Sequence, residues 1–322
     1  MSAAPDLDER EGVIGERSDA VLQTAIGERS DAVLQTAIGE RSDAVLQTAN
    51  PAGGLRVRDV VRGIVPCIVL FWLAMALIGP WIAPYDPSAI QDADLFETMS
   101  LKFLLGTDYF GRDMLSRILA GARYTVGIAL IATVLSVGTG LLLGLAASAI
   151  GGLFDAALSR FLDALISIPS KMFGLVVVAA FGSSIPVLIL TLGIIYLPGC
   201  YRIVRSIAIN VAALDFVTVA RARGEGTFYI MLREILPNMV GPVLADFGLR
   251  FIYVVLLLSS LSFLGLGVQP PEADWGSLVR ENIGGLPYGA PAVIMPALAI
   301  ASLTIAVNLT IDGLFGRREG VS

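Results

Sequence analysis

Six runs of about twenty residues or more, dominated by apolar side chains, constrain this chain more than any other feature. They lie approximately at 61–83, 124–150, 158–181, 185–207, 240–266 and 290–314, the third being interrupted by Asp163, Pro169 and Lys171. A helix rising about 1.5 Å per residue needs about 20 such residues to cross roughly 30 Å of hydrocarbon. Within that layer every backbone N–H and C=O must find a partner inside the protein, so runs of this length predict helices. Composition agrees: of 322 residues, 55% are hydrophobic and 16% charged, with a mean hydropathy of +0.77, where soluble domains carry about a quarter charged residues. The expectation is an all-α membrane protein with six transmembrane helices.

Several function classes are removed by what the chain lacks. There is no histidine, which takes away imidazole as metal ligand, proton relay or hydrolase base. The only lysines are Lys102 and Lys171, and neither follows the glycine spacing of a phosphate-cradling loop, so the chain has no ATP site of its own. A formal charge of −6 argues against nucleic acid as a partner. Cys67 and Cys200 fall within the first and fourth runs and read as buried small apolar residues. The first run starts after residue 60 without a cleavage pattern, and reads as a retained anchor.

Orientation follows from the basic residues. With the N-terminus cytoplasmic, the inner segments carry Arg56, Arg58, Arg62, Arg160, Arg202, Arg205, Arg221, Arg223, Arg233, Arg317 and Arg318. The outer segments then keep Lys102, Arg112, Arg117, Arg123 and Arg280, among more numerous acids. Both termini and the 212–238 loop are therefore expected on the cytoplasmic side of a multi-pass membrane protein.

Along the chain, residues 1–54 form a tail in which Ile-Gly-Glu-Arg-Ser-Asp-Ala-Val-Leu-Gln-Thr-Ala occurs three times, at 14–25, 26–37 and 38–49. At about 100° per residue each copy is rotated by roughly 120° from the last, so no continuous apolar stripe forms and the tail is expected to be mobile. Residues 55–123 hold the first span and an external segment, and 124–322 a core of five further spans. In the external segment, Thr107 or Asp108 is expected to cap a short interfacial helix with an Asp113–Arg117 pair upon it. A second external stretch, 268–289, reads as a stiff flap, a re-entrant element or a cap, and the glycines of Ser262 to Gly267 before it as sites of close helix approach.

Two sets of residues invite a functional reading. In the 212–238 loop, Phe216, Val219, Ala220 and Arg223 share one helical face, Asp215 suits a helix N-terminus, and Gly224 suits a helix stop. Arg221 and Arg223 are expected to meet acids of a partner, with Phe216 and Ala220 packing in its cleft. Within the spans, Asp163, Lys171, Asp246 and Arg250 are candidates for a translocation path, since each charge costs about 2.5–3.5 kcal/mol at a helix centre. Asp246 and Arg250, four apart, can also simply neutralise one another. Lys171 has no such neighbour, Asp163 being eight residues back, and is expected to face a water-filled path.

Taken together, Gly106 to Asp113, Asp215 to Gly224, Leu236-Pro237-Asn238 and Leu261 to Pro271 resemble the permease subunits of dipeptide and oligopeptide ABC importers, specifically the C-type subunit. The likeness spans roughly residues 70–315. It implies a short coupling helix, with Thr218-Val219-Ala220 standing where Glu-Ala-Ala is frequent, Gly224 as its glycine and Leu236-Pro237 as the stop that follows. Glu234 stands in place of a common histidine, and Leu258-Ser259 in place of a common Glu-Ala. The resemblance further implies a second, B-type permease, two cytoplasmic ATPase subunits that bind the ATP and Mg, and an extracytoplasmic solute-binding protein; no cofactor is expected in this chain. The competing expectation is a stand-alone secondary transporter driven by an ion gradient, and the absence of visible internal symmetry speaks against it.

Overall fold

The computed structural model describes residues 57–315, and side chains from 63 to 314; the three tail repeats lie outside the described residues. The described helices are α1 (Val57–Ile82), α2 (Met114–Ile150), α3 (Gly152–Ile166), α4 (Ser170–Phe181), α5 (Ile185–Ala212), α6 (Asp215–Ala222), α7 (Thr227–Phe263), α8 (Trp275–Asn282) and α9 (Pro291–Phe315), with α6 and α8 lying outside the apolar runs. No strand occurs among the described residues. Five helices, α1, α2, α5, α7 and α9, are long and apolar enough to cross a membrane.

The third expected span, 158–181, is not one helix. It is α3 and α4 meeting at 83°. Pro169, with φ −55° and ψ 124°, is the residue immediately before α4. Its ring disfavours helical geometry at Ile168, and without an N–H it cannot extend the ladder of α3.

The bent pair nevertheless returns the chain across the layer. In α3, Asp155 bonds Arg205 and Ser159 meets Tyr201 at 2.8 Å; in α4, Gly174 lies beside Ile195. The pair thus runs antiparallel to α5. Meanwhile Leu135, Gly140 and Gly144 of α2 lie beside Gly193, Cys200 and Val204 of α5, in the same order, so α2 and α5 are parallel. Parallel neighbours require a return between them, and α3–α4 is the only connection. Counted this way, the described residues make six traverses.

The seam between α2 and α5 is built on small residues. Ser136, Gly140 and Gly144 recur every fourth position and are buried. A Cβ on Gly140 would lie 2.7 Å from Cys200 Cβ, and one on Gly144 2.7 Å from Val204 Cγ1. Side-chain-free positions at this spacing let backbones approach in lipid, where packing and not hydrophobic exclusion drives helix association. Cys200 is buried in this seam as expected; Cys67 is not, being exposed on α1 with its thiol donating to Gly63 O at 3.2 Å.

Outside the spans, the segment before α2 contains no interfacial helix. Asp113 caps α2 directly, its carboxylate accepting from Ser116 N at 2.8 Å, so helix begins at Met114, ten residues before the apolar run. Arg117 does not pair with Asp113. It reaches Asp108 at 2.6 Å and Glu281 of α8 at 2.9 Å, while Arg112 Nε contacts Asp108 at 2.6 Å. The four side chains are between 0 and 11% exposed. Asp108 also accepts from the amides of Phe110 and Arg112, each at 2.8 Å, and Tyr109 N donates to Asn282 Oδ1 at 3.0 Å. Thr107, for its part, stitches the loop to itself, donating to Asp94 O at 2.7 Å.

Nor is 268–289 a free flap. Asp274 caps α8 through Gly276 N (2.8 Å) and Ser277 N (3.2 Å), and its other oxygen accepts from Ser262 Oγ (2.8 Å), Val268 N (3.0 Å) and Ser277 Oγ (2.9 Å). Complete burial pushes the Asp274 carboxyl above its usual range, with the hydroxyl and amide donors pulling the other way. Trp275 is wholly buried, its Nε1 donating to Ile118 O at 3.0 Å and its amide to Thr125 Oγ1 at 2.9 Å, and its ring meets Trp72 of α1 edge-on at 4.6 Å. The glycine after α7 serves helix termination: Gly265 takes φ +89°, with Leu266 N bonded to Leu261 O and Gly265 N to Ser262 O, both at 2.9 Å. That is the paired 6→1 and 5→2 closure of a C-terminal glycine.

Two substitutions test this architecture. Gly144→Leu forces side-chain volume into the α2–α5 seam and is expected to cost about 1–3 kcal/mol, read as a lower midpoint of thermal unfolding in detergent. Arg117→Met leaves buried carboxylates without their shared cation and should cost about 3–5 kcal/mol. Its distinguishing readout is faster proteolysis of the external segments, with the rest of the chain intact.

Candidate functional site

Between α5 and α7 the chain makes the short helix α6. Asp215 in its first turn suits the positive end of the helix dipole. The helix stops as expected at Gly224, which takes φ +82°, with Gly224 N bonded to Arg221 O at 3.0 Å and Glu225 N to Ala220 O at 3.3 Å. Only glycine adopts this left-handed turn without strain.

The face expected to be shared by Phe216, Val219, Ala220 and Arg223 divides in the structure. Ala220 and Val217 are fully buried in a core with Ile230, Ile235 and Met239 of α7 and Cys200, Val204 and Ala208 of α5. Ala220 therefore anchors α6 to its own chain and cannot enter a partner's cleft. Phe216 is 38% and Val219 56% exposed on the other side. Asp215, Arg221 and Arg223 are exposed beside them. Arg223 lies 3.8 Å from Glu234, so part of its charge is met within the loop; Arg221 makes no ion pair among the described residues. Leu236-Pro237 does not end the segment. Helix continues through it within α7, with a π-helical turn at Ile230–Ile235 just before it. Proline lacks the N–H and crowds the carbonyl four residues back, and a widened turn absorbs both defects.

Of the four charges considered for a path, three are engaged elsewhere. Asp246 and Arg250 pair at 2.6 Å with side chains 9 and 8% exposed, and Arg250 also donates to Tyr196 O at 2.8 Å. They bind α7 to α5 instead of lining an opening. Asp163 pairs with Arg202 at 2.5 Å, fastening α3 to α5. Lys171 alone opens on a cavity, of about 620 Å³, walled by α7, α8 and α9. It makes no ion pair among the described residues. A second cavity of about 300 Å³ shares Leu256, Thr304 and Ile305 with the first and adds Tyr253 and Asn308. Exposed polar groups at span depth, Tyr253 and Asn308, thus continue the Lys171 opening along one face of α7 and α9.

Sequence reasoning missed the Asp108–Arg112–Arg117–Glu281 cage, the Asp155–Arg205 pair and Ser259. The pairs join residues 50 to 169 positions apart or across a loop, and no local periodicity reports such partners. The Gly106–Asp113 motif contains half of the cage, Asp108 and Arg112, but reads in the sequence as the start of an interfacial helix.

Comparison with known proteins bears on the whole arrangement. Residues 136–318 match the family described as binding-protein-dependent transport system inner membrane component. A Brucella suis protein named as a peptide transport system permease protein is 37% identical over 263 residues, covering 81% of this chain and 87% of that protein. The Di/tripeptide transport system permease protein DppC of Pseudomonas aeruginosa is 35% identical over 245 residues, 74% of this chain and 81% of that protein. The Glutathione transport system permease protein GsiD of Escherichia coli is 35% identical over 247 residues, 76% and 82% of the two chains. These likenesses fit a permease component and set aside the stand-alone secondary transporter. The match extends from the middle of α2 through the α6 loop to the end of α9, and the chain belongs to the binding-protein-dependent transport system inner membrane components.

Proposed function

We propose that this chain is the permease subunit of an ATP-driven ABC importer for peptides or related small solutes, and that α6 is where it receives force from an ATPase. The supporting observation is the two-sidedness of α6: Val217 and Ala220 fix it to α5 and α7, leaving Phe216 and Val219 as an exposed apolar pair between Asp215 and Arg221. A helix held rigidly by its own chain moves α5 and α7 when its outer face is pushed. In this reading two cytoplasmic ATPase subunits carry ATP and Mg, a B-type permease completes the pathway, and an extracytoplasmic solute-binding protein delivers cargo to the external segments. The arginines of the loop segments support a cytoplasmic position for α6 and both termini. The peptide cargo rests on the names of the relatives; glutathione in one of those names keeps the class at small peptides and similar solutes.

The test is ATP-driven uptake by the complete complex in proteoliposomes. Wild-type uptake should need ATP and stop with vanadate; accumulation driven by a proton or sodium gradient without ATP would sink the proposal. A Cβ at Gly224 meets no atom within 4 Å, but Gly224→Phe forces a bulky residue into left-handed geometry, at about 1–2 kcal/mol. Uptake should then fall by about tenfold, the equivalent of about 1.4 kcal/mol in a coupled equilibrium, while ATP hydrolysis persists. Phe216→Asp should give the same split between hydrolysis and uptake, and unchanged uptake in both variants would refute the role of α6.

A further inference from the structure

We propose that the cavity at Lys171 binds a carboxylate, the anionic end of a small organic acid whose apolar part lies against α7 and α9. Its role as a station for cargo rests on the importer reading; the binding chemistry rests on the cavity alone. The opening of about 620 Å³ has the size of a small-molecule site, where mostly apolar walls and a few polar groups are usual. Leu256, Phe263, Ile300 and Ile305 supply the apolar wall, and the opening lies beneath α8, reached by Gly276.

The polar groups there are unspent donors. Among the described residues the Lys171 ammonium has neither an acid within ion-pair distance nor a hydrogen-bond acceptor. Asp163, the nearest acid in sequence, is held by Arg202 at 2.5 Å. Ser259 also lines the opening, and its hydroxyl is screened from water with no hydrogen-bond partner. The neighbouring hydroxyls are already committed: Ser260 Oγ donates to Leu256 O at 2.8 Å and Thr304 Oγ1 to Ile300 O at 2.9 Å. Lys171 is exposed to the opening, whereas the unpaired, screened hydroxyl of Ser259 costs about 1–3 kcal/mol. A group with one negative charge and two acceptor oxygens satisfies both donors, which describes a carboxylate. A phosphate monoester would bring a second charge that this site does not balance. An anionic lipid headgroup has the same single charge and is separated experimentally.

The chain contains only two lysines, so Lys102, in the external segment, is a built-in reference for the reactivity of Lys171. The complete complex in phosphatidylcholine nanodiscs is treated with N-hydroxysuccinimidyl acetate, and acetylation at each lysine is followed by peptide mass spectrometry. The competitors are N-acetyl-dialanine and its C-terminal carboxamide, neither of which carries an amine. The expected result is that the acid slows acetylation of Lys171 saturably, by about fivefold or more as occupancy rises. The amide should do so far less, and Lys102 should respond to neither. Equal protection by acid and amide, no protection, or a Lys171 that never reacts overturns the proposal, the last because a partner side chain would then fill the site. Protection that appears only when phosphatidylglycerol is added assigns the cavity to lipid and overturns it equally. If uptake is ATP-driven and Lys171 is unprotected, the site falls and the importer stands. If the acid protects Lys171 but uptake follows an ion gradient, the site stands and the importer falls.

Discussion

The close contact of α2 with α5 through Gly140 and Gly144 is the constraint on which the remaining elements depend. Because the two helices are parallel, the chain between them must recross the layer. Because they touch nearly backbone to backbone, it must do so around their outside. The bent α3–α4 pair meets that demand, fastened to α5 by Asp155–Arg205, Asp163–Arg202 and the Ser159–Tyr201 contact. The core that holds α6 begins on this same seam, at Cys200 and Val204. The loop helix α6 is therefore rooted in a close-packed seam of the molecule.

At the other end of the helices, order is maintained by charge. The cage of Asp108, Arg112, Arg117 and Glu281 ties the segment before α2 to α2 and α8, and Asp274 ties α8 to the end of α7. Such buried ion pairs contribute little net stability beyond what well-packed apolar groups would give, but losing one partner is costly. They fix the position of α8, whose Trp275 seals α1 against α2 and whose Gly276 reaches the Lys171 cavity. The 83–113 segment and the Lys171 cavity are thus joined through α8.

Much of this is legible in the residues. The apolar runs locate five spans and the region of the sixth, because the cost of burying unpaired backbone in lipid depends only on local composition. The stop at Gly224 and the Asp246–Arg250 pair are legible too, since capping and i,i+4 contacts act within one or two turns. The run 158–181 reads as a single span because its hydropathy averages over Pro169, although the proline itself is visible. Leu236-Pro237 reads as a stop, and is not one, because a proline's effect depends on whether the helix can widen around it.

The sequence by itself determined that this chain lives in a bilayer, how often it crosses, and where its short loop helix ends, all of them consequences of solvent and local backbone geometry. Tertiary structure alone decided which face of α6 is free, that Ala220 is an anchor, that Arg117 serves Asp108 and Glu281, and that Lys171 is the one charge of four opening on a cavity. Those outcomes depend on which distant side chain occupies the neighbouring space, and that is settled only when the helices pack.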